Sequence, residues 1–268
     1  MTWQACAELV RKGDPDRFLA AMAAPVAARP VLFALYAFNV EVSRAPWVTA
    51  EPMIAEMRLQ WWRDALEEIA AGKPPRAHEV AGPLADVLDA EGAQALDRLV
   101  AARRWDIGHA PFEDAAHFES YLDATAAGLM WTSVRLLGGA ERAVQQAEAA
   151  RQDPTDPNLA EGVVRALGRA AGLARFLAAV PELEARGRVP LVDGRPQAVA
   201  ALARRALADA GGWAATRRCV PVAARAGMLE GWMAAPILRQ AVRDPGRVAD
   251  GTLGLSPFRK RLRLLRWS

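Results

Sequence analysis

Apolar positions along this chain recur at three- and four-residue spacing, interrupted by proline, glycine and short acidic caps, and this pattern predicts a succession of helices. Thr2 can cap a first helix that ends near Gly13, and Asp14 followed by Pro15 restarts a second one through Ala24. Pro25 and Pro30 then lead into the stretch from Val31 to Leu66, which reads as two helices joined at a proline-containing turn. In the first of these, Leu32, Leu35, Tyr36, Asn39, Val40 and Ser43 share one face. Asn39 and Ser43 on such a face either line a cavity or are satisfied by neighbours, because buried polar groups must be hydrogen-bonded. The second starts after Thr49 and is expected to turn Met53, Met57, Gln60 and Trp61 to one side.

Further helices are predicted from about Glu79 to Leu88, Ala93 to Ile107 and Glu113 to Leu137, with Gly138-Gly139 as a stop. A short helix from Glu141 to Arg151 leads to a linker-like loop, RQDPTDPN, and a long apolar helix from Leu159 is expected to end at Pro181. Helices from Pro196 to Ala210, Trp213 to Met228 and Leu229 to Arg243 complete the body, with breaks at Pro221 and Pro236. No segment alternates with period two between turn signals. The expectation is a single all-α domain over residues 1–254 and a distinct tail over residues 255–268.

The tail places Leu255, Phe258, Leu262 and Leu265 on one helical face, with Arg259, Lys260, Arg261, Arg263 and Arg266 around it and Trp267 near the end. Such a basic amphipathic helix either lies on an anionic membrane surface or docks on its own domain with its charges in water. Phe258, Arg259, Lys260, Leu262, Arg263, Leu265, Arg266 and Trp267 are the membrane-contact candidates.

Composition agrees with helices: 52% of the 268 residues are hydrophobic, chiefly alanine, leucine and valine. A net charge of +3 is too small to argue for nucleic acid. Cys6 and Cys219 form no metal-ligand spacing or disulfide framework. The uncharged runs Phe18 to Ala28 and Pro30 to Val40 fall short of the roughly 20 residues of a spanning helix. Arg11, Lys12 and Asp14 follow too soon on a short apolar run for a signal peptide, so a soluble or peripheral cytoplasmic protein is expected.

Chemistry-bearing motifs are few. His78, His109 and His117 lack metal spacing, and no nucleophilic triad, phosphate loop or C-x-x-C pair stands out. Asp64 with Glu68, and Glu119 with Asp123, have i,i+4 spacing; the first pair reads as a solvated face, and Asp123 could approach a cavity.

Tyr36-Ala37-Phe38, the run from Arg58 to Arg63, Tyr121 with Thr125-Ala126-Ala127-Gly128, Ala166 to Ala170 and Arg186-Gly187-Arg188 before Pro190 together resemble the squalene/phytoene synthase superfamily. The resemblance implies an isoprenoid-synthase-like helical bundle around a central cavity, in which two D-x-x-x-D motifs hold magnesium against prenyl diphosphates. Here the first motif falls on Ser43, Arg44 and Trp47, and the second on Ala178-Ala179 and Glu182-Leu183, so only Glu182 is acidic. No metal and no catalytic residue are therefore assigned.

Ala37-Phe38-Asn39-Val40-Glu41 and Met57-Arg58 look most like the branch containing the mitochondrial complex I assembly factor and its alphaproteobacterial relatives. That resemblance implies a pseudoenzyme whose partner is a respiratory complex I subunit or assembly intermediate, peripheral to the inner face of the bacterial inner membrane. It further implies a residual cavity for a lipid or isoprenoid, with Tyr36, Asn39, Ser43, Arg58, Trp62, Tyr121, Thr125 and Gly128 as lining candidates. The alternative is an active prenyltransferase that condenses prenyl diphosphates, the one case calling for Mg2+, with Arg44, Arg58 and Arg175 gripping diphosphate.

Overall fold

A computed structural model describes residues 3–49, 51–149 and 157–267, with side chains described outside 139–149 and 157–159. The described residues form helices and turns with no strand. Thr2 and most of the RQDPTDPN segment lie outside them.

Helix α1 (Trp3–Gly13) buries Cys6 and Val10. Its end comes so close to the next core helix that a Cβ on Gly13 would sit 2.5 Å from Val40. Asp14 caps α2 (Pro15–Ala23), its side chain accepting the Arg17 backbone N–H at 3.0 Å. The centre of the molecule is α3 (Arg29–Arg44), in which every residue from Leu32 to Val40 is buried. Val26–Trp47 is long and apolar enough by length and composition to cross a membrane, yet the fold encloses most of it as core. Counting uncharged runs alone misses this, because Arg29, Glu41 and Arg44 interrupt the apolar span without ending it.

Pro46 forces a 3-10 turn (Ala45–Trp47) before α4 (Pro52–Ala70). The α4 face expected to look inward does not: Met53 and Met57 are 74% and 65% exposed, and Gln60 is also exposed. Ala55, Leu59, Trp62, Ala65 and Leu66 are buried instead. Both stripes have helical spacing, and the bulk of Leu59, Trp62 and Leu66 against α3 and its neighbours selects the second.

The predicted Glu79–Leu88 helix shrinks to α5 (Ala81–Ala85), and α6 (Ala90–Ala102) passes into a 3-10 turn (Arg103–Asp106). Helix α7 (Ala115–Leu122) continues through a π turn (Asp123–Ala127) into α8 (Gly128–Ala149). Gly138-Gly139 does not stop α8. Gly138 instead permits contact with the 3-10 segment Ala223–Met233, since its Cβ would lie 3.2 Å from that of Ala224.

Helix α9 (Pro157–Ala185) runs through Pro181 rather than ending there, and is followed by Gly187, whose φ of 76° turns the chain away. A Cβ on Gly168 would lie 2.6 Å from the Ala127 Cα, and one on Gly172 would lie 2.5 Å from the Ala126 Cβ, so α9 and the π turn touch nearly backbone to backbone. Helix α10 spans Pro196–Ala210, followed by α11 (Trp213–Thr216), α12 (Ala234–Arg243), α13 (Gly246–Ala249) and α14 (Pro257–Trp267). The predicted long helices around Pro221 break into 3-10 turns, while Pro236 is tolerated in the first turn of α12.

Candidate functional site

A central cavity of about 840 Å3 opens between the ends of α1 and α3, the Arg103–Asp106 turn, the π turn and α9. Its apolar wall includes Trp47, Leu122, Phe176 and Leu183; its polar lining holds six basic residues (Lys12, Arg17, Arg44, Arg103, Arg175 and Arg186) against two acidic ones (Asp106 and Glu182).

Most of that positive charge is already engaged. Arg17 is buried, pairs with Asp14 at 2.9 Å and with Glu230 at 2.5 Å, and stands 5.6 Å over the Tyr36 ring. Arg175 donates to the Glu230 backbone carbonyl at 2.9 Å and to its carboxylate at 3.2 Å. Burial works against the Arg17 proton, but Glu230 and Asp14 outweigh it and hold the guanidinium charged. Arg175 is shifted downwards, by burial and by Arg17 beside it. Burial and the Glu230 charge push the Tyr36 hydroxyl well up, so it stays neutral.

On the facing wall, Tyr121 donates to Asp106 at 3.0 Å and accepts from Arg103 at 2.7 Å, while Arg103 and Asp106 pair at 3.0 Å. Arg188 fastens this wall from behind. It donates to the carbonyls of Trp105 at 2.7 Å, Asp106 at 3.2 Å and Gly108, with its guanidinium 4.4 Å over the Trp105 ring. Thr125 is buried and bonds the Tyr121 carbonyl at 2.6 Å.

Of the lining candidates, Ser43, Tyr121 and Thr125 face the cavity. Tyr36 and Asn39 are buried behind it, and Trp62 packs edge-on against Phe38 at 5.1 Å. Arg58 is exposed on the outer face of α4, because the α4 rotation that buries Leu59 and Trp62 turns it away. Gly128 lines a separate cavity of about 550 Å3, since the π turn advances the helix past the central one. Glu230 and Asp106 escaped the sequence reading. The isolated charge of Glu230 in the uncharged run from Ala226 to Ile237 is the signal that could have found it.

The donors do not suit a magnesium–diphosphate cluster. Ser43, Arg44 and Trp47, the places the resemblance assigns to the first carboxylate motif, line the cavity and bring no carboxylate to it. Of those it assigns to the second, Ala179 and Leu183 line the cavity, and Glu182 is tied to Arg186 at 2.7 Å. Asp123 is held by Arg165 at 3.0 Å and Arg169 at 2.8 Å, and it faces the other cavity. Asp64 and Glu68 both pair with Arg76. Among the described residues no group of three or more His, Cys, Asp or Glu could hold a metal ion.

Comparison with known proteins bears on this arrangement. The squalene/phytoene synthase family model matches residues 10–193. The chain belongs to that family. A dehydrosqualene synthase structure superposes on 99% of this chain and 94% of its own, with a TM-score of 0.72 and 17% identity. The squalene synthase HpnC from Alicyclobacillus acidocaldarius covers 91% of this chain and 94% of its own at a TM-score of 0.66 and 20% identity. These likenesses show the isoprenoid-synthase fold.

In sequence, the family member from Drosophila melanogaster named NADH dehydrogenase (ubiquinone) complex I, assembly factor 6 homolog is 31% identical over 194 residues, 70% of this chain and 53% of that protein. The Homo sapiens assembly factor 6 is 29% identical over 135 residues, 50% of this chain and 40% of that protein. The chain thus aligns with about half the length of these curated relatives.

The tail candidates divide between two sides of α14. Lys260 pairs with Asp16 at 2.7 Å, Arg263 donates to the Trp232 carbonyl at 2.5 Å, Leu264 is buried, and Trp267 stacks on Trp213 with centroids 4.2 Å apart. Phe258, Leu262 and Leu265, at i, i+4 and i+7, lie exposed with Arg259, Arg261 and Arg266. The tail is docked on its domain and still presents an apolar stripe outward.

Proposed function

We propose that this chain is a non-catalytic family member that acts as an assembly factor for respiratory complex I, its partner being a complex I subunit or assembly intermediate. It works from the cytoplasm, peripheral to the inner face of the bacterial inner membrane. The observation that carries the reading is that, among the described residues, no carboxylate cluster stands on the cavity wall, where Ser43, Arg44, Trp47 and Ala179 hold positions the resemblance assigns to such clusters. Ionisation of an allylic diphosphate needs the leaving charge neutralised by metals, and guanidiniums committed to Asp14, Glu230 and Asp106 do not take that place. The names of the curated relatives support the assembly role. The exposed stripe of α14 supports a membrane-surface location. The cavity, about 840 Å3 with an aromatic and aliphatic wall, suits a lipid or isoprenoid tail.

The test is deletion of the gene, followed by native-gel quantification of assembled complex I and by NADH:ubiquinone activity. Loss of both, restored by the intact gene, is expected; undiminished complex I overturns the proposal. In parallel, purified protein given farnesyl diphosphate with magnesium should release no diphosphate, and turnover at the rate of an active family member would establish an enzyme instead.

A further inference from the structure

Between α14 and the α10–α11–α12 surface lies a groove of about 350 Å3 whose charged lining is Arg239, Arg259, Arg263 and Arg266, with no carboxylate among the lining residues. The side chains of Arg239, Arg259 and Arg266 are exposed and have no ion-pair or hydrogen-bond partner among the described residues. Burial, and then the nearby Arg239, lower the proton affinity of Arg263, as expected where positive charges crowd without compensation. The groove also contains two indoles, and the Nε1–H groups of both Trp213 and Trp267 are buried without an acceptor. Trp267 is only 8% exposed. Donors buried without acceptors are rare in folded proteins, and here two of them accompany four cations. Leu262 lines the same groove and belongs to the exposed stripe with Phe258 and Leu265, so an apolar track leads from the arginines to the outer face of α14.

We infer that this groove is a binding site for the phosphate headgroup of an anionic phospholipid, held by Arg239, Arg259 and Arg266 with the indole N–H groups as further donors, its acyl chains lying along Phe258, Leu262 and Leu265. Guanidiniums suit phosphate oxygens because their paired N–H donors match the geometry of the anion. The apolar stripe decides between a lipid and a free anion, because a free phosphate has no use for it. The inference deepens, and rests on, the membrane contact proposed above: α14 would select a lipid class as well as touch the surface.

Dihexanoyl phosphatidylglycerol, soluble as a monomer, tests the groove without a membrane. Calorimetry should show it binding the full chain and show dihexanoyl phosphatidylcholine binding at least tenfold more weakly. Arg239→Gln with Arg266→Gln should weaken the phosphatidylglycerol at least tenfold, while Arg261→Gln, outside the groove, leaves it unchanged. Both substituted arginines are exposed, so the fold survives, and circular dichroism confirms it. Failure of the short-chain lipid to bind, equal binding of the two lipids, or insensitivity to the double substitution overturns the inference. Inorganic phosphate binding as tightly as the lipid overturns the lipid assignment in favour of a free anion. Flotation with phosphatidylglycerol vesicles tests the membrane contact separately: Phe258→Ser with Leu265→Ser should abolish it. Vesicle binding without short-chain binding would leave the membrane reading intact and remove only the groove.

Discussion

The central cavity and the α14 groove are both rich in arginine, and they differ in what the arginines face. In the cavity, the inward-facing Arg17, Arg103 and Arg175 are each matched to a carboxylate: Glu230 with Asp14, Asp106, and Glu230 again. The exposed rim holds the Arg186–Glu182 pair and Arg44, which has no ion pair among the described residues. In the groove, no lining residue is acidic. Positive charge buried with partners fixes architecture, whereas positive charge left at the rim without them is free to meet an anion. The same residue type thus serves as a structural brace at one end of the molecule and as a recognition element at the other.

The sharpest way to break the contrast is to unpair the cavity. Glu230→Ala leaves Arg17 buried beside Asp14 alone and deprives Arg175 of its carboxylate; a loss of about 3–5 kcal/mol is expected in urea denaturation. Gly168→Ala tests the close seat of α9 on the π turn that forms the cavity wall. Its new methyl would meet the Ala127 backbone, at an expected cost of about 1–3 kcal/mol, read as a lowered thermal midpoint.

Asp14→Asn is gentler, because asparagine also caps helices. Burial alone would raise the Asp14 carboxyl, but Arg17, Arg175 and the Arg17 backbone N–H hold it below its usual value. Its stabilising contribution is therefore complete above the unfolded value of about 3.9 and fades as pH falls through the folded one. The variant should lose about 1 kcal/mol at neutral pH. Its stability should also decline less steeply than that of the parent below about pH 4. Smallest of all, Arg239→Gln should leave stability within about 0.5 kcal/mol, since that side chain braces nothing.

Local chemistry was legible from sequence. The Asp14-Pro15 restart, the Pro46 break and the absence of strands among the described residues follow from groups that act within a turn of themselves. Four of the residues that the resemblance assigns to the metal-carboxylate positions, Ser43, Arg44, Trp47 and Ala179, do line the cavity. Features decided by distant partners were not. Gly138 remains helical because it lets α8 approach Ala224, and Pro181 continues a helix whose flank packs against Gly251. The α4 face was misread because two apolar stripes one residue apart differ by about 100° in direction, and only packing chooses between them. Arg17 and Glu230 stand 213 residues apart, and neither neighbourhood announces the other.

That separation also matters during synthesis. Helix α3 leaves the ribosome as an apolar segment that by length and composition could enter a membrane, and α2 beside it carries an arginine whose buried carboxylate partner is still untranslated. At about 5–20 residues per second, some 10–40 s pass before Glu230 emerges. The Arg17–Glu230 seam can therefore close only after nearly the whole chain has been made.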